Sequence, residues 1–426
     1  MEEIGTLLLN GSHIIKPILR ALSARELHCV SRVCQTWQKY VTVVLKERRR
    51  VLTMTATQLN QENALEAVVD NPETKRFLQD VDMDCGLTIM FLKIPRPWPR
   101  PHKAGDPPLS PQKDGIMDIE SMRSCLTPSS ALIGAVCTSG IIGTSVDGSC
   151  HEQKEHQEPD VDCLSAFLIP KSLPEGTQMS HFSLSLTQAK KLAKSEPNKA
   201  TFVQAFQWPE DQAIKCIILM AGECVSTTVN RELASAIRTV YGGEVAFAGG
   251  ITDQVLSYDC LIAEKDRRSD DENDEYDENE EYDDDDDVDY DIDLSLMELA
   301  FVGLVFGGEN VRAASLVIGK DDRTKESIGE RLMELKAKVE AWGECRQKFG
   351  FAFAHCLRDR ALYDADEITL ELFKELMPDI PLNGMFSFGE FGWDFPLPLA
   401  QPAKKYKPWI DDALSYTITF AIVGFV

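Results

Sequence analysis

Apolar residues recur at three- and four-residue steps near the start of the chain: first Ile14, Ile15, Ile18, Leu19 and Leu22, then Leu27, Val30, Cys34, Trp37, Val41 and Val44. Each set falls along one face of a 3.6-residue helix, with a break at Leu22 and Ser23 between them. Ser23 followed three residues later by Glu26 is a capping-box pattern, in which each side chain takes the other residue's otherwise unpaired backbone N–H. The spacing predicts two short helices, too close to the N-terminus to close a large core themselves, so their apolar face reads as a docking surface. It fits equally an ordinary helical hairpin packed on the rest of the chain.

Beyond a basic stub at Lys46 to Arg50 and a helical stretch around Gln58 to Val69, the pattern changes. Gly86 to Leu92 is a continuous apolar run of strand length, and similar runs follow at Ala131 to Cys137, Cys163 to Ile169, Ile214 to Ala221, Glu244 to Ala248, Leu299 to Phe306 and Ala313 to Ile318. Helical patterns lie between them, which predicts a mixed α/β body. Gly140-Ile141-Ile142-Gly143 lies between two of these runs, and Gly249-Gly250 ends another; turns or a pocket rim both suit glycines there. Neither stretch matches a dinucleotide or phosphate-binding loop.

In the last third, Ile328, Leu332, Leu335, Val339 and Trp342 mark an amphipathic helix over about 325–347. Phe349-Gly350-Phe351-Ala352-Phe353-Ala354-His355-Cys356 suits a strand buried on both faces. A second helix is predicted at about Asp364 to Leu376, and a final strand at Tyr416 to Val423. Between them stands Pro381-Leu382-Asn383-Gly384-Met385-Phe386-Ser387-Phe388-Gly389-Glu390, compatible with a pocket or with a tight turn between two strands.

Charge alters this picture at one place. The net charge is −25, but residues 270 to 293 hold seventeen Asp and Glu and no Lys or Arg, and taking that −17 away leaves −8 for the rest. So dense a charge run, with Tyr276, Tyr282 and Tyr290 as its aromatics, buries too little apolar area to offset chain entropy and is expected to be disordered. The body is only mildly acidic and lacks a basic patch interleaved with aromatics, so no nucleic-acid partner is expected. No run of eighteen apolar residues and no secretory leader stand in the sequence, so no membrane partner is expected and the chain is expected to stay inside the cell. The twelve cysteines are scattered and read as free thiols. Cys150, His151, His156 and Cys163 are too irregularly spaced for a zinc site, and no metal or cofactor is expected. Pro95 to Pro101, with Pro107-Pro108, reads as a loop or as a proline-rich ligand.

The hairpin, closing on Val33-Cys34-Gln35-Thr36-Trp37, resembles an F-box, although Leu9-Asn10-Gly11 stands where that family opens on Leu-Pro. The later helix, the Phe-rich strand and the Pro-Leu-x-Gly-x-x-x-x-Gly-Glu run resemble the C-terminal half of a FIST domain, with Ile133-Gly134 and Gly249-Gly250 in its N-terminal half. His355 stands where that family has cysteine, and Asp359 where it has glycine after Arg358, which implies an altered pocket.

The resemblance implies an α/β chain: an F-box over 7–48, a FIST N-terminal half over 55–262 with a Pro-rich loop at about 95–113, the acidic insertion over 264–294, and a FIST C-terminal half over 295–426. It implies a non-catalytic substrate receptor of an SCF-type (cullin-RING) ubiquitin ligase in cytoplasm and nucleus. The F-box would bind the adaptor, and through it the cullin, by Ile14, Ile18, Leu22, Leu27, Val30, Val33, Cys34 and Trp37; the FIST body would hold protein substrates marked for proteasomal degradation. Arg358, Gly384, Gly389 and Glu390 would line a possible pocket. The other expectation left standing is a small-ligand-sensing protein with no ligase role. An enzyme built on His355 and Cys356 is disfavoured, because neighbours on a strand point to opposite faces.

Overall fold

The computed structural model describes residues 12–57, 76–78, 81–93, 130–145, 150–154, 163–194, 197–258, 299–358, 368–396 and 416–426. The stretch expected to be helical around 58–69, the Pro-rich loop, the acidic insertion, His156 and Asp359 lie outside them.

Among the described residues, three helices come first: α1 (Ser12–Arg20), α2 (Ala24–Val30) and α3 (Gln35–Glu47). The predicted capping box is present, with Ser23 Oγ accepting from Glu26 N at 3.3 Å and Glu26 Oε2 accepting from Ser23 N at 2.8 Å. The helix expected to run on from Ser23 through Val44 is instead broken, and Cys34 caps α3 in extended backbone. Geometry gives the reason. Leu27 and Val44 would stand about 25 Å apart on one straight helix. The break lets both meet Ile15, Leu19 and Val41 in one small core, and Arg20 bridges α1 to Glu47 of α3 at 2.8 Å.

The body is built of strands β1 (Leu52–Thr57), β2 (Cys85–Lys93), β3 (Ala131–Cys137), β4 (Gly140–Thr144), β5 (Cys150–Lys154), β6 (Cys163–Pro170), β7 (Gln178–Ser185), β8 (Ile214–Gly222), β9 (Ala246–Thr252), β10 (Gln254–Ser257), β11 (Leu299–Gly307), β12 (Val311–Ile318), β13 (Gln347–His355), β14 (Leu382–Ser387), β15 (Glu390–Trp393) and β16 (Ile418–Phe425). Among the described residues its helices are α4 (Leu186–Lys194), α5 (Lys199–Ala205), α6 (Thr227–Tyr241), α7 (Lys325–Glu340) and α8 (Ile368–Leu376). The apolar runs became strands as predicted. Two glycine stretches did not become rims: Gly140 to Gly143 belong to β4, and Gly249-Gly250 lie inside β9. Both backbones close in on neighbours; a Cβ on Gly249 would stand 1.9 Å from the Leu219 carbonyl oxygen.

The strands form three sheets, in the orders β1-β6-β2-β3-β10, β7-β11-β8-β9-β15 and β12-β16-β13-β14-β4-β5. Each order is the same motif. Residues 52–170, 178–307 and 311–425 each lay down a first strand, a second, a third parallel to the second, and a last that returns antiparallel between first and second. The strand after each third leaves its own unit and pairs antiparallel with another unit's third strand: β4 on β14, β10 on β3, β15 on β9. The chain is therefore three repeats that lend strands to one another in a ring, the first lending β5 along with β4.

This architecture explains why the strands read as continuous apolar runs. Each sheet turns one face inward to a core shared by all three, where Phe91 and Phe167 of the first sheet, Phe306 of the second and Phe349, Phe351 and Phe353 of the third meet. Ring centroids there lie 5.1 Å apart for Phe167 and Phe351 and 5.7 Å for Phe306 and Phe349, edge-to-face pairs that add to area burial. The outer face of the second sheet is covered by α4, α5 and α6, and that of the third by α7 and α8. Burial on both faces removes the polar alternation of a half-exposed strand.

Candidate functional site: the hairpin face and the centre of the three units

The hairpin joins the body through a polar seam. Ala24 N donates to Val81 O at 2.9 Å, a His28 ring nitrogen stands 3.2 Å from Asp84 Oδ1, and Arg48 donates to the carbonyls of Asp82, Leu19 and Arg20. Gln347 pairs with both backbone groups of Val51 at 2.6 Å each. The hairpin core is a cluster of its own, separate from those of the body. Its apolar residues therefore sort into an inner and an outer set.

Leu27 is fully buried in the hairpin core, and Leu22, Val30 and Trp37 lean on it half-buried. Ile18 is 51% exposed, Val33 68% and Val43 40%, and Cys34 is exposed beside Val33. The side chain of Ile14 lies outside the described residues. Of the eight residues that the resemblance assigns to adaptor binding, the seven with described side chains are thus brought to one hairpin but not to one face. Val43 was missed because it falls off the Leu27–Val44 stripe.

The second concentration of chemistry lies where the third strands of the three units end. Their last residues are Cys137, Thr252 and Ser387, all buried. Thr252 Oγ1 donates to the Val136 carbonyl of the first unit, and Cys137 Sγ donates to the Phe386 carbonyl of the third at 2.8 Å. The third position departs from the pattern. There Ser387 Oγ donates to Glu390 Oε1 at 2.7 Å, and the Ile251 carbonyl is taken by Phe388 N at 2.9 Å.

Glu390 opens β15 and is buried with no exposed edge. Thr417 Oγ1 donates to its other oxygen at 2.5 Å. Burial dominates these hydrogen bonds and pushes the carboxyl up to about 8, so it is mostly neutral at pH 7. His355, paired in register with Ser387, is pulled down to about 4 by burial and by Arg358. Its Nδ1 accepts from Leu357 N at 3.2 Å. The Cys137 thiol is pushed far up by burial and the nearby Asp253, which keeps it protonated. The ends of these strands and the start of β15 thus carry a neutral acid, a neutral imidazole and a protonated thiol.

The four candidate pocket residues separate. Glu390 is in this centre, and Gly389 ties it to the second unit by accepting from Ile251 N at 2.8 Å. Arg358 is buried and clamps backbone: it donates to Gly319 O and Asp322 O at 2.9 Å each and to Tyr416 O, joining the end of β12 to the start of β16. Gly384 lies in β14, where a Cβ would stand 1.8 Å from the Ala352 oxygen. Gly389 does sit in a turn between strands, but those strands belong to different sheets. Ser387 and Thr417 were not singled out from the sequence; alternation from Met385, which faces the shared core, was the signal that places Ser387 inward. Among the described residues, no group of three His, Cys, Asp or Glu is placed to hold a metal ion.

No family model matches the chain. Compared with curated proteins, it is 23% identical over 427 residues to F-box only protein 22 of Pongo abelii, covering 98% of this chain and 93% of that protein. The human F-box only protein 22 is 23% identical over 424 residues, with the same coverage. The chain is thus distantly similar, end to end, to an F-box protein. Among solved structures, a cyanuric acid hydrolase from A. caulinodans is 9% identical, covering 88% of this chain and 99% of that one at a TM-score of 0.38.

Proposed function

We propose that the chain is a binding protein in which the helical hairpin engages a partner subunit and the three-unit body holds a ligand or client. The observation that carries this reading is that the hairpin closes a core of its own and still turns Ile18, Val33 and Val43 outward. Side chains that the fold does not need for its own packing are free to anchor a partner.

In its finer form the reading is a substrate receptor of a cullin-RING ubiquitin ligase, acting in cytoplasm and nucleus. The end-to-end similarity to F-box only protein 22 supports it, together with Val33-Cys34-Gln35-Thr36-Trp37 at the α2–α3 junction. Such a receptor does no covalent chemistry; it raises the effective concentration of substrate lysines near the activated ubiquitin. The test is co-purification of the SCF adaptor with the full chain and with Ile18→Asp and Val33→Asp. These exposed sites leave the hairpin core intact, whereas Trp37→Ala would also loosen it. We expect each aspartate to cost about tenfold or more in adaptor binding. Unchanged adaptor recovery, or no adaptor with the wild type, removes the ligase form.

A second reading, small-ligand binding by the body without a ligase role, is favoured by the neutral Glu390 between Ser387 and Thr417. A metabolite that raises the unfolding temperature of the wild type but not of Glu390→Gln supports it.

A further inference from the structure

We propose that the lysine face of α4 is a docking surface for the chain's own acidic tract, residues 270–293. Helix α4 opens on a capping box, with Gln188 N donating to Ser185 Oγ at 3.2 Å and Ser185 N to Gln188 Oε1 at 2.8 Å. Ala189 and Leu192 bury its inner side against the second sheet. Its outer side carries Lys190, Lys191 and Lys194, all exposed. Positions 190, 191 and 194 fall on one face at three- and four-residue spacing. The helix has three basic residues and no acidic one, whereas α6, α7 and α8 mix both signs. It is a concentrated positive stripe on a chain of net charge −25.

The strand register gives the tract its route to this face. Forty residues, 259–298, join Tyr258 to Leu299, and Leu299 pairs with Ser185, the residue that caps α4. The chain leaving the acidic tract therefore re-enters the fold at the foot of the lysine helix. Residues 294–298 separate Asp293 from Leu299 and span up to about 20 Å when extended. The three lysines lie about 8–14 Å along the helix axis from Ser185. Tethering at this distance gives a local tract concentration in the millimolar range, and seventeen carboxylates facing three ammonium groups supply the attraction. The docked tract would cover the lysine face and screen it from other acidic partners.

The test is zero-length carbodiimide cross-linking of the full chain, with Lys–carboxylate links located by mass spectrometry. Exposed Lys325 and Lys374, on the third unit, serve as references. We expect links from 270–293 to Lys190, Lys191 and Lys194 at least about fivefold above those to the references, independent of protein concentration. They should collapse in about 1 M salt, where the Debye length is about 3 Å. They should also fall when Asp283, Asp284, Asp285, Asp286 and Asp287 are together replaced by Asn. Equal yields at all exposed lysines, or persistence in high salt, overturn the docking. A yield that rises in proportion to protein concentration also overturns it and assigns the face to a second copy.

Discussion

Glu390→Gln removes one ionisable group from the centre of the three units while keeping its shape. The folded state holds this carboxyl at about 8 against an ordinary value of 4.5, because burial outweighs the help from Thr417 and Ser387. A raised pKa in the folded state means that the folded protein binds the proton more tightly than the unfolded chain. The stabilisation is therefore complete below pH 4.5, declines as pH rises, and is gone above pH 8. A displacement from 4.5 to 8 corresponds to a swing of about 5 kcal/mol, at about 1.4 kcal/mol per pH unit. The amide that replaces the carboxyl does not titrate, so this component vanishes in the variant. Urea unfolding of both proteins from about pH 5 to about pH 9 gives the difference in unfolding free energy at each pH. The wild type should lose about 1.4 kcal/mol per unit relative to the variant up to pH 8 and then level off, leaving Glu390→Gln the more stable protein at alkaline pH. A difference that stays flat across that range means the carboxyl is already ionised near neutrality, and the account of the centre as a neutral acid fails.

Gly384→Ala places a methyl group 1.8 Å from the Ala352 oxygen in the heart of the third sheet; loss of about 3 kcal/mol or more is expected in the same urea assay. Cys137, buried and held protonated by burial and Asp253, should resist a thiol-alkylating reagent in the native protein while exposed Cys29 and Cys224 react; rapid labelling at Cys137 would show that the centre opens. The cyclic exchange of β4, β10 and β15 means that removing any one unit strips strands from two sheets. Calorimetry of the full chain should therefore give one cooperative transition for the three units, and separate transitions for 52–170 and 311–425 would contradict the exchange.

Reading local pattern recovers what local physics determines. The capping box at Ser23 and Glu26, the buried face Ile328, Leu332, Leu335 and Val339 of α7, and the runs that became β3, β8 and β13 all depend on neighbours within a few residues. The break at residues 31–34 was not legible, because Leu27, Val41 and Val44 keep helical spacing across it; only the gain from meeting Ile15 and Leu19 decides it. The same limit hides the threefold plan. An apolar run such as Gly140 to Thr144 carries no mark of its partner, and β4 stands next in sequence to β3 but pairs with β14. Gly249 and Gly384 were visible as glycines, yet their cause is a carbonyl on a neighbouring strand, of Leu219 and of Ala352. The centre followed suit. Glu390 could be picked from its motif, but its neutrality comes from burial that outweighs the hydrogen bonds from Thr417 and Ser387, and no window of sequence reveals that burial. In a fold whose edges are filled by exchanged strands, composition and periodicity reach the layers, and the chemistry arises where the units meet.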